Sequence, residues 1–445
     1  EGRPDIGGGF DAVIGNPPWD TLRANTGEPD NRSTERVSQH ARLRFFREAG
    51  VFRYQGPGHL NRYQLFVERA LQLTRSGGRM GLVLPSGIAT DRGSGPLRRA
   101  LLDQTTIDRV LGFSNRHGIF PIHRDVKFLL LTTTKADRTD RLEGSFGRTQ
   151  PSWLDDLPDS ARDDPPEARR VALNRGLLDK WDPDHLSIPL LSSASDLELL
   201  VHVSASVPPL GGPDGWGVQF GRELNATEDR PHFVSPGCAG PDPITVIEGK
   251  HLEPFRVRTE LSHLAIPSHV VKTLLDRDRT FGCLRVAYRD VASATNRLTL
   301  IAAMLPPGTV STHTVFCLKN AVSARAQYCL LALLNSLVAN FLVRLQVTTH
   351  VSSRLMLRLP VPRPPGHDSA FRELARLAQS LARTGIDADE QSYVQINSIA
   401  AALYGLTTSQ YEHVVATFPL LSERLRHWLI ADYVQALEAQ RLGGR

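Results

Sequence analysis

The first 135 residues of the sequence predict an α/β fold, because apolar runs typical of strands alternate with segments of helical spacing. The predicted strands span 10–15, 79–86, 107–113 and 125–133. Residues 60–75 (LNRYQLFVERALQLTR) carry apolar side chains three and four positions apart, and a shorter helix is predicted over 98–102. Such alternation is typical of an open, mostly parallel sheet whose strand ends carry the functional residues. Residues 1–135 are therefore expected to form part of such a sheet, with 10–15 as a buried strand.

A change of composition after residue 135 predicts a domain boundary. Residues 136–185 are polar, rich in Pro and Asp and mostly without periodicity, which is typical of a connector. Residues 186–365 combine short apolar runs with loops rich in Gly and Pro, a pattern that favours an α+β domain. Within this region the stretch LLALLNSLVANFLVRL at 330–345 is apolar almost all round, so it is expected to be a core helix.

The C-terminal segment 366–445 is expected to form a small helical bundle. Several stretches carry apolar residues three or four positions apart, as in SAFRELARLAQSLA and QSYVQINSIAAALYGL. Asp389 and either Thr407 or Thr408 are suitable N-caps, and Gly405 is suited to end a helix.

The composition is ordinary and excludes few functions. The chain has 445 residues, of which 41% are apolar and 22% charged, a length that predicts two or three domains. A net charge of +5 suits a nucleic-acid partner, although many proteins with other partners are equally basic. No apolar stretch reaches the roughly 18 residues of a membrane helix. The four cysteines form no C-x-x-C pair, so we expect no metal and a cytoplasmic location.

The tetrapeptide Asn16-Pro17-Pro18-Trp19 directly follows the first predicted strand and is the strongest candidate for a catalytic site. An exocyclic amino group of a base is a poor nucleophile, because its lone pair is delocalised into the ring. The Asn16 side-chain oxygen and the Pro17 carbonyl are suitable acceptors of hydrogen bonds from this amino group. Such hydrogen bonds make its nitrogen more nucleophilic. The prolines fix φ and so place these acceptors in advance, while Trp19 offers a flat face to a planar base. The same residues are also suited to a strand-ending turn.

In their order along the chain, three segments resemble the later motifs of N6-adenine DNA methyltransferases, and more narrowly those of type IIG-like restriction–modification methylases. The segments are Asn16–Trp19, FVERALQLTRSGGRMGLVLPSG at 66–87 and GIFPIHRDVKFLLLT at 118–132. The resemblance implies the C-terminal part of a class I, Rossmann-like methyltransferase domain over 1–135. It also implies transfer of a methyl group from S-adenosylmethionine to N6 of a flipped adenine.

The resemblance assigns roles to particular residues. Asn16–Trp19 match the family's adenine-binding motif, with Pro18 in a scaffold role. Phe120 is the best match to a second aromatic residue that packs on the flipped base, and Phe113 is the competing candidate. Phe66 aligns with a family position near the adenine of the cofactor.

In this family the main cofactor-binding loop, a glycine-containing turn that leads into a helix, precedes the Asn-Pro-Pro motif. Gly7-Gly8-Gly9 precedes the motif here, but a strand follows it, so we interpret it as a turn. We therefore expect the cofactor loop in a missing N-terminal half or in a partner subunit. Two alternatives stay open: a catalytically incomplete DNA-binding specificity fragment, and a methyltransferase that acts on RNA or on protein glutamine.

Three later stretches, at 248–257, 288–309 and 330–362, resemble the target-recognition domain of the same methylases. The implied partner is double-stranded DNA, read by 186–365 and supported by a helical subdomain at 366–445. Arginine suits phosphate contacts and guanine edges, although a solvated basic face is the simpler interpretation. The DNA-binding candidates are Arg344, Arg354, Arg358 and Arg363, with Arg285, Arg289 and Arg297 near the second stretch. The pattern Pro241-Asp242 and Glu248-Gly249-Lys250 imitates a metal-dependent nuclease, but its spacing is too short to predict one.

Overall fold

The computed structural model describes residues 8–22, 41, 44–56, 60–155, 171–276, 278, 280–291, 296–347 and 350–443. The chain divides into two compact units, Glu1–Glu198 and Leu199–Arg445. The α/β class of the first unit and the helical C-terminal region are confirmed, whereas the functional assignment of the predicted domain ranges stays a prediction.

The first unit is built on one central sheet. Its strands are β1 (Phe10–Gly15), β2 (Thr21–Leu22), β3 (Leu60–Asn61), β4 (Thr74–Pro85), β5 (Thr106–Ser114), β6 (Lys127–Thr134), β7 (Arg141–Arg148) and β8 (Val171–Asn174). Its helices are α1 (Arg62–Leu73), α2 (Gly87–Thr90), α3 (Gly95–Gln104), α4 (Arg175–Trp181) and the beginning of α5 (Ala194–Ser206). The sheet has the order β1-β4-β6-β5-β7-β8, and β2 pairs separately with β3.

The sheet is mixed, which corrects the prediction of a mostly parallel one. β1 and β4 are parallel, as are β5 and β7, but β4–β6, β5–β6 and β7–β8 are antiparallel. The reason lies in the connection between β5 and β6. Residues 115–126 join these strands as a loop without a crossover helix, and strands joined in this way run antiparallel.

β1 is an edge strand and not the buried strand that its apolar sequence predicts. It pairs with β4 on one side and has no partner strand on the other among the described residues. The side chains of Phe10 and Ile14 are 58% and 86% exposed. A continuous apolar run is typical of a strand covered on both faces, and the described residues do not provide that cover.

The junction between α1 and β4 also differs from the prediction of a glycine stop at 76–78. The helix ends at Leu73 and the chain continues directly into β4. The Lys135 ammonium group donates to the carbonyls of Leu71 and Thr74 at 2.8 and 2.7 Å. A cation at this end satisfies C-terminal carbonyls and the negative end of the helix dipole, so the helix needs no glycine to stop it.

The predicted connector 136–185 is partly structured, and its residues 156–170 lie outside the described residues. β7 and β8 add two strands to the sheet, and Arg98 donates to the carbonyls of His185 and Leu186 at 2.9 and 3.0 Å. The guanidinium group of Arg148 lies 4.0 Å above the ring of Trp153. The glycines Gly144 and Gly147 weaken the strand pattern of β7 in the sequence, which explains why the segment is interpreted as a connector.

The second unit contains two small sheets and a set of helices. Its strands are β9 (Phe220–Gly221), β10 (Pro243–Ile247), β11 (Ala265–Pro267), β12 (Arg285–Arg289), β13 (Ala302–Leu305), β14 (Thr309–Ser311) and β15 (Val315–Leu318). They form the sheets β11-β10-β14 and β13-β12-β15-β9. Its further helices are α6 (Ser268–Leu274), α7 (Ala324–Leu334), α8 (Leu337–Arg344), α9 (Ser353–Arg358), α10 (Ser369–Thr384), α11 (Glu390–Leu403), α12 (Thr408–Ala416) and α13 (Glu423–Gly443).

The predicted core helix at 330–345 is buried, but it is two helices rather than one. α7 and α8 meet at a bend of 60°. Asn335 at the bend is fully buried, and its side chain accepts from the Ala302 nitrogen at 3.1 Å and donates to the Ala302 oxygen at 2.9 Å. Ser336 then caps α8 by accepting from the nitrogen of Ala339. In the part of the chain that the structure describes, no single helix is long and apolar enough to cross a membrane, and this bent pair meets the criterion only jointly.

The helix ends predicted for the C-terminal region are confirmed. Asp389 caps α11 by accepting from the nitrogen of Ser392 at 3.1 Å. Thr407, rather than Thr408, caps α12 in a reciprocal capping box with Gln410. Gly405 has a φ of +67°, a conformation in which glycine ends helices at little steric cost.

A buried ion pair holds the sheets of the second unit together. The guanidinium group of Arg285 binds both oxygens of Glu223 at 3.0 Å, and the two side chains are 2% and 0% exposed. Arg285 also donates to the carbonyl of Thr309 at 2.7 Å, and Glu223 accepts from the nitrogen of Ser311 at 2.7 Å. These contacts correct the assignment of Arg285 as a DNA-binding candidate, because its donors are used inside the fold.

Removing one partner of this pair is expected to destabilise the second unit. Glu223→Ala leaves Arg285 buried without its counter-charge, and such changes lower the free energy of unfolding by about 3–5 kcal/mol. Denaturant unfolding of the variant measures the loss. Glu373→Ala is the control, because its partner Arg376 is largely exposed and we expect no resolvable change. Equal effects of both substitutions would contradict the structural role of the buried pair.

Candidate active site

The candidate catalytic tetrapeptide lies at one edge of the central sheet, where several strands end. Gly15 is the last residue of β1 and pairs with Leu82, so Asn16–Trp19 leave the sheet beside the end of β4. At that end Pro85 pairs with Phe128 of β6, and Phe128 in turn pairs with Phe113 of β5. The ends of β1, β4 and β5 and the start of β6 therefore meet at the same edge. Strand ends of this kind are a usual location for functional sites in α/β sheets.

The tetrapeptide is held on both sides. β1 fixes the chain before it, and the ladder of β2 with β3 fixes the chain after it. Asp20 accepts from the backbone nitrogen of Arg62 at 3.0 Å, and the side chains of the two residues form an ion pair at 3.2 Å. Thr21 donates to the side chain of Asn61 at 2.7 Å. Two prolines between two fixed ends leave little backbone freedom to lose on binding.

Asn16 is available to a substrate. Its side chain is exposed, whereas Pro17 is buried. Within the described residues the Asn16 side chain has no hydrogen-bond partner. A short polar side chain on a fixed backbone, with its oxygen unoccupied, suits the binding of a donor such as an amino group.

Trp19 belongs to an aromatic cluster with Phe120 and Phe128. The Trp19 ring centroid lies 5.8 Å from that of Phe120 in an edge arrangement and 6.0 Å from that of Phe128. Phe120 and Phe128 are 4.9 Å apart, also in an edge arrangement. Trp19 and Phe120 are partly exposed, so the cluster is open to solvent on their side. Both base-stacking candidates therefore lie at the end of the sheet where β1 leads into Asn16.

The geometry favours Phe120 over the competing candidate Phe113. Phe113 is 3% exposed and stacks on Phe128 at 5.4 Å, which makes it part of the core. Sequence reasoning missed Phe128, because a Phe in an apolar strand is usually core. Its position as the first apolar residue after the loop that carries Phe120 is the one sequence signal for its place in the cluster.

The indole nitrogen of Trp19 is buried and has no hydrogen-bond partner among the described residues. An unsatisfied buried donor costs about 1–3 kcal/mol. Such groups are uncommon in folded proteins, and they call for a specific explanation. An acceptor on a bound molecule would remove this cost.

The described residues do not form the expected cofactor loop. Gly8 and Gly9 lead directly into β1, and no helix follows them before Asn16. Gly9 has a φ of +150°, and a Cβ there would lie 2.8 Å from the carbonyl oxygen of Leu73, so this glycine permits a close backbone approach. Phe66, the weak cofactor candidate, is 54% exposed on α1, and its role stays a prediction.

Arg344 is partly buried and uses its donors within the second unit. It donates to Thr299 Oγ1 at 2.9 Å and to the carbonyl of Thr417 at 3.0 Å, and its guanidinium group lies 3.9 Å from the Phe418 ring. Burial lowers the pKa of Arg344 to about 10. Because these donors already have partners within the second unit, we expect no phosphate contact from Arg344.

The other DNA-binding candidates differ in their exposure. Arg363 is exposed, although it donates to the carbonyl of Gly215 at 2.7 Å. Arg354 and Arg358 are half-buried on α9. Their DNA contacts stay predictions. The intervening Thr348 and Thr349 lie outside the described residues.

Asp182, Asp184 and His185 could offer a cation three ligand atoms, and they are the one such group in the described part of the chain. Asp182 accepts from the nitrogen of His185 at 3.3 Å, next to the end of α4. Arg98 and Arg99 donate to carbonyls of the same turn. Two guanidinium groups oppose the binding of a cation, so this turn is not assigned as a metal site.

Comparison with known proteins relates this geometry to a family. Residues 4–120 match the family model of the Eco57I restriction-modification methylase. A comparison with curated proteins gives no match.

Similar solved structures include restriction–modification enzymes. The type IIL enzyme MmeI in complex with DNA has 9% identity and a TM-score of 0.48, over 96% of this chain and 57% of that one. The type IIG endonuclease BpuSI has 11% identity and a TM-score of 0.38, over 96% and 54%. The type ISP enzyme LlaBIII bound to DNA has 10% identity and a TM-score of 0.45, over 84% and 29%. The chain thus spans little more than half of the first two. Over residues 4–120, this chain is therefore similar to the Eco57I restriction-modification methylases.

Proposed function

We propose that this chain is the base-binding and DNA-recognising part of a site-specific DNA adenine methyltransferase. The proposed reaction transfers a methyl group from S-adenosylmethionine to N6 of a flipped adenine, in a restriction–modification or phage-defence system. One observation carries the proposal: Asn16 is exposed and free of internal hydrogen bonds at the strand end where Trp19 and Phe120 lie. The match of residues 4–120 to the Eco57I restriction-modification methylase model supports the proposal.

In the proposed mechanism, Asn16 and Pro17 act on the adenine amino group. The Asn16 side-chain oxygen and the Pro17 carbonyl accept hydrogen bonds from its two N–H groups. These hydrogen bonds reduce the conjugation of the nitrogen lone pair with the ring. Because the tetrapeptide is fixed at both ends, the acceptors need little reorganisation as the nitrogen becomes tetrahedral. No enzyme nucleophile is required. The cofactor would supply the methyl group on a sulfonium sulfur and leave as a neutral thioether when the nitrogen takes that group, and the nitrogen would then lose one of its two hydrogens as a proton.

The aromatic residues stabilise the extruded base. Flipping a base out of the duplex costs a few kcal/mol, which stacking and edge contacts offset. Trp19 offers a flat face, and Phe120 lies 5.8 Å away at its edge. Stacking of a base on an aromatic side chain contributes about 1–3 kcal/mol, which is the right size to compensate.

The described residues leave β1 open on one side and do not form the expected cofactor loop. β1 presents an unpaired edge in the described part of the chain, and Phe10 and Ile14 on it are 58% and 86% exposed. Open apolar edges are normally covered in native proteins. We infer that further polypeptide, either an N-terminal half or a partner subunit, pairs with this edge and carries the cofactor loop. Phe66 is exposed on the neighbouring helix and is the candidate contact from this chain.

The unpaired edge of β1 also supports the second candidate function. In that case the chain is a DNA-binding specificity fragment that is inactive until another polypeptide supplies the cofactor loop. Incorporation of labelled methyl groups into unmethylated DNA by this chain alone would exclude the inactive fragment, and it would contradict the inference that the cofactor loop lies in further polypeptide. No incorporation together with salt-sensitive DNA binding would favour the fragment. Competing RNA and protein substrates in the same assay test the remaining alternative of another methyl acceptor.

Asn16→Ala is expected to abolish methyl transfer while DNA affinity changes no more than a few-fold, because the acceptor acts on the reacting nitrogen and not on the duplex. The measurement is methyl incorporation into unmethylated DNA, beside a DNA-binding titration at fixed salt. Asn174→Ala, which removes a helix cap in the same unit, is the control and should keep full activity. Parallel loss of affinity and transfer in Asn16→Ala would contradict the assigned role.

Trp19→Ala is expected to lower methyl transfer more than Trp19→Phe. The Phe variant keeps a flat ring for the base, whereas the Ala variant loses a stacking contribution of about 1–3 kcal/mol. Comparison of kcat/KM for the two variants on the same DNA tests the expectation. Identical losses would show that the indole itself, and not its stacking face, is required.

The salt dependence of DNA binding is expected to distinguish the exposed Arg363 from Arg344, whose donors have partners within the second unit. Arg363→Ala should reduce the magnitude of the slope of log K against log[salt] by about 1, the effect of one lost phosphate contact. Arg344→Ala should leave the slope unchanged and instead lower the free energy of unfolding by roughly 2 kcal/mol, since it loses partly buried hydrogen bonds. A smaller slope in Arg344→Ala and an unchanged slope in Arg363→Ala would instead assign the phosphate contact to Arg344.

A further inference from the structure

The loop that carries Phe120 is organised by one buried side chain. Residues 115–126 connect β5 to β6, and Asn115 at their start is 0% exposed. Its amide nitrogen donates to the carbonyls of Phe120 at 3.1 Å, Ile122 at 3.1 Å and His123 at 3.3 Å. Its side-chain oxygen accepts from the Phe120 nitrogen at 2.8 Å. One side chain therefore uses all its donors and an acceptor on the backbone of this loop.

The backbone of Asn115 closes the loop at both ends. Its nitrogen donates to the carbonyl of Val126 at 3.0 Å, and its carbonyl accepts from the nitrogen of Gly118 at 2.7 Å. Gly118 has a φ of +76°, which turns the chain back toward Phe120. Asn115 is thus fixed independently of the side-chain contacts that it makes.

Phe120 is held by both of its backbone polar groups. Asn115 binds the nitrogen and the oxygen of this residue, which fixes the peptide units on both sides of its Cα atom. A fixed Cα leaves an aromatic side chain only a few staggered orientations. Contact with Phe128 at 4.9 Å and with Trp19 at 5.8 Å selects one of them.

We propose that Asn115 is the positioning residue for the aromatic wall of the base site. It acts through Phe120 and holds that ring against Trp19, so that the two rings are arranged before a base arrives. The proposal rests on the proposed function as regards the base, but the arrangement of the two rings is a property of the free protein. Preorganisation of this kind lowers the cost of ordering a loop during binding.

A purely structural role for Asn115 would have a different signature. A loop residue that only adds stability can be replaced at a cost in unfolding free energy, and the neighbouring rings stay in place. A positioning residue, when replaced, releases Phe120 and changes the surroundings of Trp19 in a protein that is still folded. The test therefore needs a signal from Trp19 itself.

The experiment is fluorine NMR of the full chain labelled with 5-fluorotryptophan. The five tryptophans give five resonances, and Trp19→Phe identifies that of Trp19. Asn115→Ala is expected to move the Trp19 resonance toward the solvent-exposed position and to broaden it, while the other four stay in place. Phe120→Leu is expected to move the same resonance. Addition of Asn115→Ala to Phe120→Leu should move it no further, because both act through one ring.

Asn174→Ala is the matched control, because it removes a loop-to-helix hydrogen bond of 2.8 Å to the Leu177 nitrogen in the same unit. Its Trp19 resonance should not move. Asn115→Asp keeps an acceptor for the Phe120 nitrogen but sets an oxygen against three carbonyls, and it should resemble Asn115→Ala. If Asn115→Ala does not fold, Asn115→Ser replaces it, because serine keeps one donor. The position of its Trp19 resonance is then compared in the same way.

An unmoved Trp19 resonance in folded Asn115→Ala, beside a clear shift in Phe120→Leu, would overturn the proposal. So would movement of the resonance in Asn174→Ala to the same extent. These results do not depend on methyl transfer, so they are distinguishable from a failure of the proposed function. In an active preparation, Asn115→Ala should lower kcat/KM about 10- to 100-fold with DNA affinity unchanged. An unchanged rate despite a shifted resonance would overturn the role in base positioning.

Discussion

The candidate site depends on the register of three neighbouring strands. The pairing of Pro85 with Phe128 and of Phe128 with Phe113 aligns the ends of β4 and β5 with the start of β6. Because β5 and β6 are antiparallel, the loop between them lies at that same edge, and Phe120 comes within 5.8 Å of Trp19. A shift of one residue would turn every side chain of a strand to the opposite face. Phe128 would then leave the aromatic cluster and Trp19 would lose one of its two neighbours.

The tetrapeptide combines a rigid backbone with an unengaged side chain. β1 and the β2–β3 ladder hold its two ends, Pro17 is buried, and Asn16 is left without a hydrogen-bond partner among the described residues. An asparagine that served only the fold would be expected to use its side-chain amide in internal hydrogen bonds, as Asn115 does in the loop between β5 and β6. The two asparagines thus illustrate opposite uses of one side chain. Asn115 organises a loop from the interior, whereas Asn16 is exposed and has no hydrogen-bond partner among the described residues.

The arginines show why a basic segment cannot be assigned from composition. Arg285 lies just before, and Arg344 within, stretches that resemble a target-recognition domain, yet both direct donors to groups inside the second unit. A guanidinium group that finds a carboxylate or several carbonyls in the interior is held there, because leaving these acceptors unpaired is costly. Arg363, two residues beyond a buried valine, remains exposed. Nothing in the local sequence distinguishes these cases, since the partners are far away along the chain.

The sequence by itself determined the features that depend on local patterns: the α/β alternation of the first unit, the helix after the tetrapeptide, and the caps Asp389 and Thr407. It also selected Asn16–Trp19 as the candidate catalytic tetrapeptide, whose role stays a prediction, because the chemistry proposed for it is contained in four consecutive residues. Tertiary structure alone decided which apolar run is an edge, that β7 and β8 extend the sheet, and that Phe120 rather than Phe113 lies beside Trp19. The physical reason is that burial and ring contact depend on residues distant in sequence. Periodicity within one segment reports only the face that a side chain takes, and not what covers it.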